Sequence, residues 1–348
     1  MRESDPHTML SDRQQRVLRA LVSAYVAEAE PVSSTMVSHL LPIALSSASI
    51  RNTMAELEER GLVQKPHASS GRVPTPNGIR IFVDDLLSPR ELAAYERRSL
   101  DHSFDVGGGE QAVRVASRML SEHSHQLGFV LAPRISRLRL RHVSLVRLSS
   151  ERLLVVLVTE DGQAHRVILD DPGWNDQREL EAVSSELNRR VAGRTLAAIR
   201  VAMKREVAAL RKRADRVLSR VLSVGLQLAE EPFEQPVEIV VSSRLALLSQ
   251  PELCDPEYLR EVFSALETQE RLIELLDSLL DTEGVSVALG EELAEPGLLH
   301  SALVVAPYGL GGSHLGMLGV LGPQRMDYAH IIPLVDYCSG LLSGKLEA

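Results

Sequence analysis

Apolar residues recur at three- and four-residue spacing near the N-terminus, which predicts short amphipathic helices. The first helix carries Val17, Leu18 and Leu21 on one face. Ser11 and Gln14 stand three residues apart just before that face, which is the spacing of a capping box. The pattern therefore predicts a helix that begins at a defined residue and packs by one side.

Two further helices are predicted before residue 61. Ser33 or Ser34 can cap the second helix, and a serine at position 46 or 47 can cap the third. The third helix carries an apolar stripe of Ile50, Met54 and Leu57 at spacings of four and three. Burial of that stripe turns the opposite, polar face of this helix outward.

The outward face of the third helix has the side chains that read base edges. Asn52 points out, with Ser47, Ser49 and Arg51 beside it, and residues 31–55 contain no Asp or Glu. Asparagine pairs with adenine and arginine with guanine in the major groove, and each good pair contributes about 1–3 kcal/mol of discrimination. The alternative is an ordinary solvated helix face; the missing acids favour DNA.

A cationic loop follows this helix. Residues 61–80 are rich in turn formers and contain Lys65, Arg72 and Arg80 but no acid. A helix followed by such a loop is typical of a winged helix-turn-helix, in which the helix enters the major groove and the loop lies along the phosphates. Lys65 and Arg72 are predicted to contact phosphate, whereas His67 fits a phosphate contact or a turn hydrogen bond equally well. The predicted DNA-binding side chains are Ser33, Ser34, Ser47, Ser49, Arg51, Asn52, Lys65, His67, Arg72 and Arg80.

The remaining chain mixes strand and helix patterns, which predicts an α+β protein of several domains. Residues 128–170 and three segments after residue 284 alternate or run apolar as strands do. Between them lies a heptad-like stripe that includes Val207, Leu210, Val217 and Val221. A basic helix of this kind is a candidate second nucleic-acid site, but the regular stripe favours packing or dimerisation.

Composition narrows the class of protein. The 348 residues are 44% hydrophobic and 3% aromatic, with a net charge of −9, so any DNA contact depends on a local cationic face. No apolar run approaches the roughly 20 residues of a membrane span. Two cysteines fit a reducing cytoplasm. No nucleophile elbow, phosphate loop or set of metal ligands is recognisable, so we expect no catalysis, metal or cofactor.

Two distant parts of the chain carry a family resemblance. Ser-Ser-Ala-Ser-Ile-Arg-Asn-Thr-Met-Ala-Glu-Leu-Glu-Glu-Arg-Gly (46–61) and Lys-Pro-His-Ala-Ser-Ser-Gly-Arg-Val-Pro-Thr (65–75) resemble the N-terminal domain of the bacterial heat-inducible transcription repressor family HrcA. Leu-Gly-Val-Leu-Gly-Pro-Gln-Arg-Met-Asp-Tyr-Ala (318–329) and Ile-Pro-Leu-Val-Asp-Tyr (332–337) resemble its C-terminal end. The match runs in order over nearly the whole chain.

The resemblance implies a domain plan. It implies a winged helix-turn-helix at 1–88, and then a GAF-like α/β domain in two parts, 89–150 and 249–348. An inserted α+β dimerising domain at 151–248 would interrupt it.

The resemblance also implies a function. A homodimer in the bacterial cytoplasm would bind the CIRCE inverted repeat upstream of class I heat-shock genes, which encode the chaperonin and DnaK-type chaperones. The chaperonin GroEL would support the active repressor, and heat stress would release it by occupying the chaperonin. The alternative is a winged-helix regulator whose GAF-like domain senses a small molecule.

Overall fold

The computed structural model describes residues 10–41, 46–67, 70–105, 109–133, 138–149, 152–160, 162, 164–170, 177–196, 198–199, 201–203, 221–227, 239–241, 260, 264, 270–310 and 313–347. These residues form three packed units. We call them the winged unit, the five-stranded unit and the three-stranded unit, after the secondary structure of each.

The winged unit comprises residues 10–87 and alternates helices with one short hairpin. Its elements are α1 (Asp12–Glu28), α2 (Ser34–Leu40), α3 (Ser47–Glu59), β1 (Val63–Gln64), β2 (Val73–Pro74), α4 (Pro76–Ile81) and a π-helical turn (Phe82–Leu86). The predicted stripe of Ile50, Met54 and Leu57 is fully buried, with at most 1% exposed, against the inner face of α1. This is the helical order that the pattern predicted.

The helix ends in the winged unit follow the predicted capping chemistry. Ser11 and Gln14 form the capping box of α1. Thr75 caps α4 with a proline at the first helical position. Gly61 has φ +71° just after α3, a left-handed conformation that favours glycine. These local signals fix where each helix begins and ends.

The five-stranded unit surrounds an antiparallel sheet. Its elements are α5 (Ala94–Phe104), α6 (Gly109–Ser124), β3 (Leu127–Leu131), β7 (Ile239–Val241), α8 (Glu270–Leu279), β8 (Ser286–Leu289), β9 (Ser301–Leu310), β10 (Ser313–Pro323) and α9 (Tyr328–Glu347). The strand order is β7-β3-β10-β9-β8. Helices α5, α6 and α9 pack on one face, and α8 packs on the other. The GAF-like character of this unit stays a prediction.

The three-stranded unit lies around the predicted start of the insert, and the domain boundaries stay a prediction. It contains β4 (Leu140–Arg147), β5 (Arg152–Thr159), β6 (Ala164–Asp170) and α7 (Gln177–Val191). A boundary at residue 151 would separate β4 from β5, which pair along their length. Leu138 packs in the core of the five-stranded unit. Ile239 pairs with Leu131 of β3 in the same unit.

The predicted dimerisation residues are described only in part. Val207, Leu210 and Val217 lie outside the described residues. Val221 is 0% exposed and packs into the core formed by α7 and the three-stranded sheet. The dimerisation role of this stripe stays a prediction. Among the described helices, none is long and apolar enough to cross a membrane.

Candidate nucleic-acid interface

The exposed start of α3 is the centre of the candidate interface. Ser46 caps the helix, its hydroxyl accepting a hydrogen bond from the Ser49 amide at 3.2 Å. Burial of the opposite face leaves Arg51 and Asn52 exposed on the first turns. Within the described residues, no acid lies in the first turn of α3, so an approaching phosphate meets the positive end of the helix dipole.

The predicted serines mostly shape the junction between α2 and α3. Ser33 caps α2, accepting from the Met36 amide at 3.2 Å. The Ser34 hydroxyl lies 3.0 Å from that of Ser47, which ties the two helix starts together. Ser34 is only 9% exposed, so the structure does not bring it to the surface, where a DNA contact was predicted. Ser33 is exposed, and Ser47 and Ser49 are half-buried beside Arg51.

The wing is a hairpin of two short strands, β1 and β2, each of two residues, and it follows the end of α3. Val63 pairs with Pro74 and Gln64 with Val73. Lys65 and His67 follow β1 and are exposed. The backbone of His67 closes the turn with Ser70, whose hydroxyl donates to the His67 carbonyl at 2.7 Å. The hairpin therefore presents one cation and one imidazole beyond the helix.

Arg72 does not belong to the exposed cationic surface. Its side chain is 9% exposed; its Nε donates to Glu58 Oε2 at 3.0 Å, and its Nη2 lies 2.9 Å from the same oxygen in an ion pair. Lys65 Nζ lies 3.8 Å from the same oxygen but stays 40% exposed. Arg72 also forms a backbone bridge to Val32. The guanidinium faces α3 and fastens the wing to it, so in this conformation Arg72 is not brought to the exposed surface where a phosphate contact was predicted.

Arg80 also faces away from the candidate DNA surface. Its Nη2 donates to the Val287 carbonyl at 2.8 Å, and its Nε donates to Glu292 Oε1 at 3.2 Å. A second bond joins Nη2 to Glu292 Oε2, and Asp84 lies 3.4 Å from Nη1. In this conformation Arg80 joins the winged unit to the five-stranded unit and is not brought to the surface where a DNA contact was predicted.

The acids at the end of α3 are partly neutralised. Glu56 pairs with Arg13 at 3.1 Å and accepts from Gln14 at 2.9 Å. Glu58 pairs with Arg72, as described above. Both carboxylates face the body of the winged unit, so they subtract little from the positive field at Arg51.

Two glycines of the cationic loop are required by close packing, which the sequence analysis read only as turn formers. A Cβ at Gly71 would lie 2.5 Å from the Val32 carbonyl oxygen. A Cβ at Gly78 would lie 2.0 Å from the Leu62 carbonyl oxygen. Backbone oxygens cannot move aside as flexible side chains do. These glycines therefore let the wing and α4 pack directly on the backbone of neighbouring segments.

A second polar cluster lies in the five-stranded unit, and the sequence analysis missed it. Glu96 is 7% exposed, and its Oε1 lies 2.7 Å from His330 Nε2 and 3.4 Å from His123 Nδ1. Burial alone would raise the pKa of Glu96, but hydrogen bonds and positive charge from His330 and His123 together lower it. The cluster lines a cavity of about 390 Å³ that also includes His125 and Asp327.

This cluster is not arranged as a metal centre. Among the described side chains, no group of three His, Cys, Asp or Glu residues is placed to hold a metal ion. The buried thiol of Cys338 is also unsuited to nucleophilic chemistry, since burial raises its pKa and disfavours the thiolate. Cys254, the other cysteine, lies outside the described residues.

Comparison with known proteins places both ends of the chain in one family. Residues 9–83 match the family model "Winged helix-turn-helix transcription repressor, HrcA DNA-binding", and residues 110–332 match "HrcA protein C terminal domain". The heat-inducible transcription repressor HrcA of Geobacter sulfurreducens is 35% identical over 344 residues, covering 98% of this chain and 99% of that protein. The repressor of the same name from Xanthomonas euvesicatoria pv. vesicatoria is 35% identical over 343 residues, covering 98% and 97%.

A solved structure supports the fold. A crystal structure described as that of a hypothetical protein aligns with a TM-score of 0.62 and 23% identity, covering 97% of this chain and 98% of that one. At this identity the likeness supports the arrangement of helices and sheets alone. The family assignment depends on the two family models and the curated relatives.

Proposed function

Because this chain belongs to the HrcA family of heat-inducible transcription repressors, we propose that it represses class I heat-shock genes as a dimer bound to the CIRCE inverted repeat. The observation that carries this proposal is the exposed, acid-free start of α3, where Arg51 and Asn52 stand side by side. The chaperonin and DnaK-type chaperone operons would be its targets in the bacterial cytoplasm.

The side chains of α3 would read bases, while the wing would bind the backbone. Arg51 suits guanine and Asn52 suits adenine, because each pairs bidentately with that base in the major groove. Lys65 and His67 lie at the wing, where a side chain meets phosphate and fixes orientation without reading sequence. Bound protein would then occlude the promoter.

A dimer would match the two-fold symmetry of an inverted repeat. The outer face of the three-stranded sheet supports this part of the proposal. Val146, Leu154 and Ile168 are aligned in register across β4, β5 and β6. Val146 is 44% and Ile168 53% exposed. A second copy of the chain would cover this apolar strip, in addition to the contact predicted through the heptad-like stripe.

Chaperonin titration would provide the heat response. In this scheme GroEL keeps the repressor in its active form, and unfolded proteins occupy GroEL during heat stress. The amount of active repressor then falls, and transcription of the chaperone genes rises. This part of the proposal comes from the family resemblance.

The proposal is tested by fluorescence anisotropy with the purified protein. A duplex carrying the CIRCE repeat is compared with a scrambled duplex over a salt series, with and without GroEL. We expect at least about a thousandfold preference for CIRCE. Each neutralised phosphate should add about 0.9 to the slope of log affinity against log salt. Equal, weak binding to both duplexes would contradict the operator assignment. If GroEL leaves the fraction of active repressor unchanged, the chaperonin step is wrong.

A second candidate function is regulation by a small-molecule effector. The cavity beside Glu96, His123 and His330 favours it, because a concave site with convergent polar groups is where ligands bind. Its test is a metabolite screen by thermal shift, followed by operator binding in the presence of each hit. A hit that changes operator affinity in wild type but not in Glu96→Gln would support this function. The absence of any such hit would leave DNA binding without effector control.

Catalysis is not part of the proposal. The curated relatives are named as transcription repressors, and none of their names indicates an enzyme. The acidic and hydroxyl groups near the C-terminus have structural partners. For example, the Tyr337 hydroxyl donates to Asp101 at 2.8 Å.

A further inference from the structure

Arg80 connects two units that are far apart in sequence. It lies in the last turn of α4, and its partners Val287 and Glu292 are 207 and 212 residues further along the chain. The guanidinium meets the Glu292 carboxylate through two nitrogens, a geometry that fixes direction as well as distance. The Arg80 side chain is 24% exposed and that of Glu292 is 49% exposed, so solvent screens part of their interaction.

Glu292 is held in place for this contact. Its Oε2 accepts a hydrogen bond from the Leu289 amide at 2.9 Å, within a short 3-10 turn that follows β8. The carboxylate is therefore oriented by its own unit before Arg80 reaches it. An oriented acceptor loses less side-chain freedom when the pair forms.

Other contacts between the two units lie around this pair. Ile79, next to Arg80, packs in the core of the five-stranded unit with 2% exposure. The Arg325 guanidinium donates to the Val26 carbonyl in α1 at 3.2 Å. The Arg90 amide donates to the Ala329 carbonyl at 2.8 Å. These contacts attach the winged unit through α4, through α1 and through Arg90 in the segment that follows the winged unit. Arg80 supplies the bidentate ion pair.

We propose that the Arg80–Glu292 pair fixes the angle of the winged unit and thereby sets which half-site spacing the dimer accepts. The inference rests on the proposed function, because two half-sites imply a dimer on an inverted repeat. One added base pair turns one half-site by about 35° relative to the other. A winged unit with a fixed angle cannot follow that rotation, whereas a loosened unit can. Arg80 and Glu292 are then positioning residues that determine operator specificity without touching a base.

The test is a spacer series measured with the full-length protein. Duplexes carry the CIRCE half-sites with spacers from two base pairs shorter to two longer, and affinity is measured by anisotropy. For wild type we expect roughly a tenfold or larger loss of affinity at the altered spacers. In Arg80→Ala and in Glu292→Gln, we expect the loss to shrink to about threefold or less, with the best operator still bound. Arg118→Ala, which removes a distant exposed cation of α6, should keep the wild-type profile.

Two outcomes overturn the inference alone. One is a spacer profile in Arg80→Ala and Glu292→Gln as steep as in wild type. The other is weaker binding of Arg80→Ala to every duplex, with a salt slope lower by about 0.9, while Glu292→Gln stays normal; Arg80 would then contact phosphate. Glu292→Gln keeps the test valid if Arg80→Ala fails to fold. If wild type binds no inverted repeat at all, the proposed function fails and the inference falls with it.

Discussion

The Arg72–Glu58 pair gives a sharp prediction about how the wing is held. Arg72→Ala removes one charge-assisted hydrogen bond of 3.0 Å and an ion-pair contact of 2.9 Å to the same carboxylate oxygen, from a side chain that is 9% exposed. Hydrogen bonds to charged groups contribute roughly 1.5–3 kcal/mol each. The Glu58 side chain is 32% exposed and keeps Lys65 nearby, which lowers the cost of losing its partner. We therefore expect the wing to lose about 2 kcal/mol of local stability.

Hydrogen exchange with mass spectrometry measures this loss directly. The Val32 and Arg72 amides each donate to the other's carbonyl at 2.9 Å, so they report opening of the wing. Arg72→Ala removes the side chain and keeps this backbone bridge as a probe. A loss of about 2 kcal/mol corresponds to roughly thirtyfold faster exchange in peptides that cover these amides. Peptides from the five-stranded unit should exchange as in wild type.

A matched control separates this pair from an ordinary surface ion pair. Arg13 and Glu56 form a pair in the same unit, but their side chains are 47% and 41% exposed. Arg13→Ala should change local stability by less than about 0.5 kcal/mol, or roughly twofold in exchange. The fastening role is refuted if Arg72→Ala leaves exchange unchanged and lowers the salt slope of DNA binding by about 0.9.

Three further predictions concern the same unit. Arg51→Ala or Asn52→Ala should lower the free-energy preference for the operator over nonspecific DNA by about 1–3 kcal/mol, measured by anisotropy. An unchanged preference would refute base reading by α3. Lys65→Ala should weaken binding to all duplexes and reduce the salt slope by about 0.9; a slope equal to wild type would show that the wing does not touch phosphate. Gly78→Ala should cost about 1–3 kcal/mol in a melting experiment, since its Cβ would lie 2.0 Å from a backbone oxygen; normal melting would show that the backbone adapts.

Local signals made the winged unit predictable from sequence. The Ser11 capping box, the proline after Thr75 and the stripe of Ile50 and Met54 each act within one helix. Such features depend on residues a few positions apart, so they can be interpreted without knowledge of the fold. The strands after residue 284 were equally predictable, because their apolar runs are buried in one sheet.

Partners distant in sequence were not predictable. The pattern showed cations at Arg72 and Arg80 but not the carboxylates they face, which lie 14 and 212 residues away. Likewise, the heptad-like stripe favoured packing or dimerisation without showing which, and the structure shows that Val221 packs against its own chain. The strand pattern indicated β4 without showing that it pairs with β5, across the boundary predicted at 151. In each case the missing information is a tertiary contact.

The central claim is that α3 reads bases in the major groove of an inverted repeat, and methylation protection tests it most directly. Dimethyl sulfate reacts with guanine N7, which lies in that groove. With wild-type protein on the CIRCE duplex, we predict two protected patches related by two-fold symmetry. Their centres should lie about one helical turn, or a multiple of it, apart. Asn52→Ala and Arg51→Ala should lose protection while nonspecific binding persists. Tight binding that leaves every guanine N7 reactive would contradict the account.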